Sequence, residues 1–379
     1  MKLIEGGVTA ATGFKANGLS SGIKRSGKLD LALIACDQPA VCAGVFTKNS
    51  IKAAPVVVSQ QKLHRHQAQA ILVNSGNANC FTGNFGLLYA QKSTELIAGL
   101  LNISADHVLV ASTGIIGKPL PYKKIEKAAS RLVQGLSKRG GALAAQAILT
   151  TDKKVKEIAL QTKIGGRTVT IGACAKGSGM IQPNMATMLA FITTDAMIQP
   201  QALDLALHRA VEKTFNCISV DGCMSTNDMV SVLANGFVGH TPIAEPSKDY
   251  EIFCAALDFI CLDLAHKIVK DAEGATKFIE ITIEGAKDDE QAKAVGLAIA
   301  NSNLVKCAAF GSDPNWGRVA AAVGSLGLHV SEKSLKIAFS SFKKPHIDIK
   351  VDLNLGRHRA VIYTADLSTE YVKINGRYN

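Results

Sequence analysis

Lys176-Gly-Ser-Gly-Met-Ile-Gln-Pro-Asn-Met-Ala186, followed by Thr187-Met-Leu-Ala-Phe-Ile-Thr-Thr194, is the most unusual segment of this 379-residue chain. Two glycines and a proline make the stretch from Lys176 to Ala186 a loop. Met188 to Thr193 and Thr168 to Ala173 are apolar and β-branched, and they read as the strands on either side of it. Strands around a central loop, set among helical patterns elsewhere, indicate an α/β fold with helices layered on mixed sheets.

Working outward, residues 28–36 and 67–74 read as short buried strands closed by turn-forming residues. Tyr89 to Leu101, Pro121 to Leu136 and Ala142 to Leu149 carry apolar residues at helical spacing, the second with proline where a first turn accepts it. Phe253, Leu257, Ile260, Cys261, Leu264 and Ile268 form one face of a long helix that should stop near Gly274. Glu273 then sits at the carboxyl end, where the helix dipole disfavours a carboxylate by about 0.3–1 kcal/mol. Its placement asks for a reason. Ile347, Ile349, Val351 and Leu353 alternate with polar residues as in a half-buried strand, and Val361 to Thr364 and Tyr371 to Ile374 read as two more.

A chain with 47% hydrophobic residues and 33 glycines can bury one large core or two ordinary ones. No stretch has the roughly 18 apolar residues of a membrane span, and the start lacks a hydrophobic signal core, so a cytoplasmic protein is expected. Nine cysteines without a C-x-x-C pair fit reduced thiols, mostly in apolar company such as Cys254, Cys261 and Cys307. Nine scattered histidines with no H-E-x-x-H give no expectation of a metal, and no cofactor motif is present. The net charge of +11 is spread over dispersed pairs, with only 5% aromatic residues. That disfavours a nucleic-acid surface and suits attraction of small anions as well as mere solubility.

A threonine hydroxyl attacks a carbonyl only when a base removes its proton, and no histidine lies near Thr187 in sequence. The threonine's own α-amine, with a pKa of about 7.7–8.0, is an economical base, but only if the threonine is the first residue of a chain. Cleavage between Ala186 and Thr187 would achieve this. The Thr187 hydroxyl would attack the Ala186 carbonyl, the peptide would shift to an ester, and water would release the amine. Both that step and later acyl transfer need an oxyanion hole, and Ser112-Thr113-Gly114-Ile115-Ile116-Gly117, after the apolar run from Val108, is the best candidate turn. From local sequence alone, Thr187 reads first as a structural, β-branched residue opening a buried strand.

The segment from Lys176 to Asp195 resembles the self-cleavage segment of the ornithine acetyltransferase, or glutamate N-acetyltransferase, family. The likeness continues through Gly6-Gly-Val-Thr-Ala10, Asn74-Ser-Gly-Asn-Ala-Asn79, Ala111-Ser-Thr-Gly-Ile-Ile-Gly117, Thr150-Thr-Asp152, Val220-Asp-Gly222, Ser225-Thr-Asn-Asp228, Asp271-Ala-Glu-Gly-Ala-Thr276 and Gly311-Ser-Asp-Pro-Asn-Trp-Gly-Arg318. It implies the family's N-terminal-nucleophile-like fold and cleavage into residues 1–186 and 187–379, assembled as an α2β2 heterotetramer. It also implies transfer of acetyl from N2-acetylornithine to glutamate through acetyl-Thr187, acetyl-coenzyme A being a further donor in some members. By the same resemblance Thr113 and Gly114 form the oxyanion hole, and Thr151, Lys176, Thr187, Glu273 and Asn375 contact substrate. Relatives usually finish with a Ser or Thr beyond the match to Asn375. This chain ends Asn375-Gly-Arg-Tyr-Asn379, so no terminal contact is assigned.

Gly18-Leu-Ser-Ser-Gly22 fits the serine-hydrolase pattern literally but follows polar, glycine-rich sequence instead of a buried strand. Gly172 to Ser178 lacks the lysine of a phosphate loop just before its hydroxyl residue. A related self-processing aminopeptidase or amidohydrolase is the most serious alternative, and a basic non-enzymatic binding protein is the remaining one.

Overall fold

The strands around the central loop form where the apolar runs place them, at Arg167–Lys176 and Leu189–Thr194. A computed structural model describes residues 1–182 and 188–376 of the chain, so Ala186 and Thr187 lie outside the described residues. By its internal contacts the described chain divides into two compact units. The first holds residues 1–177, 188–215 and 224–264, and the second 178–182, 216–223 and 265–376.

In the first unit β1 (Lys2–Ile4), β2 (Phe14–Leu19), β3 (Leu31–Phe46), β4 (Gln67–Asn77), β5 (Val108–Ile115), β6 (Lys156–Ile164), β7 (Arg167–Lys176) and β8 (Leu189–Thr194) precede β9 (Ile218–Ser219) of the second unit. They are joined by β10 (Met229–Ala234). Among the described residues these make a nine-stranded sheet in the order β1-β6-β7-β8-β10-β3-β4-β5, with β2 also paired to β3. The sheet is mixed: β8 runs parallel to β10 and antiparallel to β7.

Both faces of its β3-β4-β5 side are covered, which is why those strands are continuously apolar. Leu31, Leu33, Ala70, Leu72, Val108 and Val110 point into a core built with α1 (Ala54–Leu63), α2 (Gly83–Leu101) and α3 (Tyr122–Gln134). Their neighbours Ala32, Ile34, Ile71, Val73, Leu109 and Ala111 point into another that includes Ala144, Ala145 and Ala147 of α4 (Gly141–Ala147). The alternation is the two-residue period of a pleated strand with oil on both sides. α5 (Pro200–Lys213) packs on β3, and the long α6 (Lys248–Lys270) buries the expected face from Phe253 to Ile268 completely.

In the second unit β9, β11 (Phe278–Ala286), β12 (Lys336–Phe339), β13 (His346–Asp352) and β14 (His358–Ala365) form a five-stranded sheet in the order β12-β13-β11-β14-β9. Ile347, Ile349 and Val351 of β13 are buried while His346 and Lys350 are exposed, as their alternation requires. α7 (Asp289–Ala300), α8 (Asn303–Phe310) and α9 (Trp316–Gly324) share that core through Val295, Ile299, Val305, Ala309, Val319 and Val323. Asp288 caps α7 by accepting the Gln291 N–H, and Ser302 caps α8 by accepting that of Val305.

Several expectations are corrected. Tyr371 to Ile374 is not a strand but part of α10 (Thr369–Asn375). Ser368 caps that helix by accepting the Tyr371 N–H, and Glu370 sits favourably in its first turn, so capping overrides the β-like composition. The strand expected over 28–36 starts at Leu31 and continues to Phe46, and the helix expected from Tyr89 begins at Gly83. The long helix stops at Lys270, so Glu273 lies beyond its end in a turn closed by Gly274, whose φ is +71°. All nine cysteines are free thiols and seven are buried, but Cys307 is exposed on α8, as is Cys223. No helix among the described residues is long and apolar enough to cross a membrane.

The Ser368 hydroxyl also donates to the buried Gly274 carbonyl at 2.6 Å. Ser368→Ala is therefore expected to cost about 1–2 kcal/mol, from the lost cap and the orphaned carbonyl together. Chemical denaturation checks this: the midpoint falls, and an unchanged midpoint contradicts the assignment.

Candidate active site

In the first unit the candidate oxyanion residues lie inside β5, not in a turn after it. Ser112, Thr113 and Gly114 pair in register with Asn74, Ser75 and Gly76 of β4. Gly114 has a φ of +131°, and a Cβ there would stand 2.4 Å from the Gly76 carbonyl carbon and 2.6 Å from the Asn77 nitrogen. Only glycine fits that backbone and that approach. The strand ends are tied further by Asn227, whose side-chain amide donates to the carbonyls of Ala78 (2.6 Å) and Ser112 (2.8 Å). The Ser112 hydroxyl donates to the Asn74 side chain at 2.6 Å.

Lys176 is the last residue of β7, paired with Leu189 of β8, so the loop opens at Gly177 and the lysine is not an exposed loop residue. Only 2% of it is exposed, and its ammonium donates to the Thr113 hydroxyl at 3.3 Å. The structure thus brings Lys176 and Thr113 together.

Beside them lies a buried carboxylate to which sequence reasoning gave no role. Asp152 accepts the Lys156 ammonium at 2.7 Å, the Gly177 N–H at 2.7 Å and the Thr150 N–H at 3.0 Å. Its side chain is wholly buried and that of Lys156 nearly so. Burial pushes the Asp152 carboxyl up, but the charges of Lys176 and Lys156 and the hydrogen bonds from Lys156 and Gly177 outweigh it and hold the group well below the usual carboxylate range. Lys24 joins the same neighbourhood, donating to the Leu29 and Leu149 carbonyls at 2.7 Å each. Burial, helped by the Lys176 charge against the opposing Asp30, pulls its ammonium down to about 8. Thr151 is half-buried in the bend just before Asp152. Thr-Asp-Lys-Lys reads as a surface turn, and only the four-residue spacing of Asp152 and Lys156 hinted at a pair.

In the second unit Glu273 is 6% exposed and accepts the Asn375 side-chain amide at 2.8 Å, so these two predicted residues also meet. The Glu273 N–H donates to the Ser178 carbonyl at 2.9 Å, and the Ser178 hydroxyl to the Asp271 carbonyl at 2.7 Å. A Cβ on Gly179 would lie 2.4 Å from the Glu273 carboxylate, which explains the second glycine of Gly-Ser-Gly. Asp221, also without a sequence-derived role, gathers the N–H groups of Met180 (2.6 Å) and Ile181 (2.8 Å) and the Tyr371 hydroxyl (3.1 Å). It holds Met180 in left-handed backbone at φ +56°. Burial, then the Asp221 charge, pushes the Tyr371 phenol up, while burial pulls the enclosed Lys306 ammonium down to about 8 against Asp221 and Asp366.

Each unit therefore carries one charged residue of the predicted set at a buried position, a cation in the first and an anion in the second. Ala186 and Thr187 fall outside the described residues.

A family model described as the ArgJ family matches residues 15–344. The arginine biosynthesis bifunctional protein ArgJ of Gloeobacter violaceus is 44% identical over 398 residues, spanning 99% of this chain and 98% of that protein. Glutamate N-acetyltransferase of Methanocaldococcus jannaschii is 45% identical over 411 residues, spanning all of both. A solved structure of the arginine biosynthesis bifunctional protein argJ from Bacillus halodurans is 42% identical, covers 49% of this chain and 97% of that chain, and superposes with a TM-score of 0.46.

Asp152→Asn removes the charge paired with the buried Lys156 and is expected to destabilise the protein by about 3–5 kcal/mol. Because the folded carboxyl titrates below its unfolded value, its stabilisation is present above about pH 4 and is lost as pH falls through the depressed folded value. Denaturation measured across acidic pH should show this dependence in the native protein and its loss in the variant.

Proposed function

The chain belongs to the ArgJ family, and from that membership we propose that it transfers acetyl from N2-acetylornithine to glutamate through an ester on Thr187. As a family member it is an acyltransferase of arginine biosynthesis. The observation that carries the finer reading is the match along essentially the whole chain to proteins named for this biosynthesis and for glutamate N-acetylation.

In this reading the chain cuts itself between Ala186 and Thr187 into residues 1–186 and 187–379, which stay together and assemble as an α2β2 heterotetramer. The Thr187 hydroxyl adds to the acetyl carbonyl of N2-acetylornithine while its proton passes to the Thr187 amine. Thr113 and Gly114 stabilise the oxyanion, and the amine returns the proton to departing ornithine. Glutamate then attacks the acetyl ester by the reverse sequence and leaves as N-acetylglutamate, restoring the threonine hydroxyl. N2-acetylornithine carries an α-carboxylate and a side-chain ammonium, so a cation and an anion together suit its orientation.

Lys176 takes the carboxylate and Glu273 the ammonium of ornithine, with Thr151 and Asn375 completing the contacts. The near-complete burial of both charged groups supports these roles, since a desolvated charge grips its counter-charge more strongly than one in water. No cofactor enters this chemistry, and acetyl-coenzyme A, where used, is a second acetyl donor. The place of work is the cytoplasm.

Thr187→Ala is expected to remain a single chain and to lose acetyl transfer entirely. Intact-mass spectrometry with a chromatographic assay for N-acetylglutamate checks both, and a cleaved or active variant contradicts the proposal.

A further inference from the structure

A further cluster of charge belongs to the second unit and has no part in the proposed acetyl transfer. Lys270 ends α6, Lys277 leads into β11 and His346 opens β13, yet all three line one cavity of about 340 Å³. The cavity's walls are tied down. Asp366 accepts the N–H groups of Thr276 and Lys277 at 2.8 Å each and the Thr276 hydroxyl at 2.5 Å. The Phe278 N–H donates to the Pro345 carbonyl at 2.8 Å, and Phe278 pairs in register with His346.

Both lysine heads are held as well. The half-buried Lys277 donates its ammonium to the carbonyls of Lys344 at 3.3 Å and Lys343 at 3.4 Å, and the Lys270 ammonium stands 5.0 Å from the centre of the Phe278 ring. Among the described residues neither forms an ion pair with a carboxylate. Fixing a lysine costs rotamer freedom, and like charges facing one cavity repel. Lys270 at least complements the negative end of α6, but Lys277 has no helix end to serve. The His346 imidazole lies 3.4 Å from Asp348 and 3.9 Å from Glu280, which balance its charge when it is protonated. The cavity's pull on an anion therefore comes from the two lysines.

We propose that this cavity binds a phosphate group, with Lys270 and Lys277 as its counter-charges. An ammonium is a compact point charge of the kind that binds phosphate, and two of them match a dianion better than a single carboxylate. The volume is at the small end for ligand pockets. Phe278 is only 6% exposed, so its ring offers no open face for a stacked base, which argues against a nucleic acid. The Thr276 hydroxyl is committed to Asp366, so charge supplies the grip. Free phosphate and the phosphate end of coenzyme A present the same group. The site goes beyond the acetyl-transfer reading and stands without it.

Isothermal titration calorimetry at constant ionic strength, with inorganic phosphate and separately with coenzyme A, tests this. Native protein should bind inorganic phosphate saturably, one per chain. Lys270→Gln and Lys277→Gln should each weaken that binding at least about fivefold, whereas Lys350→Gln, which removes an exposed charge from β13, should leave it within about twofold. Coenzyme A binding at least about tenfold tighter than phosphate, with the same dependence on both lysines, supports the site and names the coenzyme as the source, and equal affinities support it with free phosphate as the source. No saturable binding, or a loss in Lys350→Gln as large as in the other two, overturns the proposal, because the lysines then add only to a diffuse positive field. Should a variant fail to fold, acetic anhydride labelling of native protein decides. Protection of Lys270 and Lys277 by inorganic phosphate supports the site, and equal labelling with and without phosphate overturns it.

Discussion

Every residue of β8 is buried, and the strand is clamped along its whole length by β10 in parallel and β7 antiparallel. A six-residue strand in that position cannot slip by one residue without turning its core side chains to the wrong face. The constraint fixes Met188 in space, because the strand begins one residue later and the Met188 N–H is held by Asp228. Met188 is thereby anchored at the middle of the nine-stranded sheet. The same pairing places Lys176 opposite Leu189, so the strand that delivers the lysine and the strand that follows residue 187 in sequence share one register.

Buried charge is the second feature of the fold, and Asp152 shows how partners make it tolerable. Asp152 satisfies itself with one ammonium and two backbone N–H groups, and its charge also faces that of Lys176. In the second unit Asp221 does the corresponding work for the backbone at Met180 and Ile181, and through Tyr371 it is tied to the helix that carries Asn375. Both aspartates fix the start of the loop that opens at Gly177, each from within its own unit. They position groups that would touch substrate and need not touch it themselves.

What could be read from the sequence follows from which forces are local. The alternation of β13 and the apolar face of α6 were legible because period and burial coincide there. The roles proposed for Thr187, Thr113, Gly114, Lys176, Glu273 and Asn375 come from resemblance, since an isolated threonine before a strand carries no signal of its own. α10 was misread because Tyr-Val-Lys-Ile has the composition of a strand, whereas its conformation is set by the Ser368 cap three residues before Tyr371. Asp152, Asp221 and Asp228 stayed invisible as partners because their hydrogen bonds reach residues far along the chain. Such contacts are decided by topology, not by neighbouring sequence.

In the proposed mechanism the hydroxyl of Thr187, at the start of a fragment made by the protein itself, carries the acetyl group. The direct measurement is peptide-level mass spectrometry of native protein mixed with N2-acetylornithine, without glutamate, and quenched in acid. The expected result is a fragment beginning at residue 187 that is heavier by one acetyl ester on its first residue and loses it when glutamate is added before the quench. An uncut chain, or a cut one whose first residue never gains the acetyl group while product still forms, would contradict it.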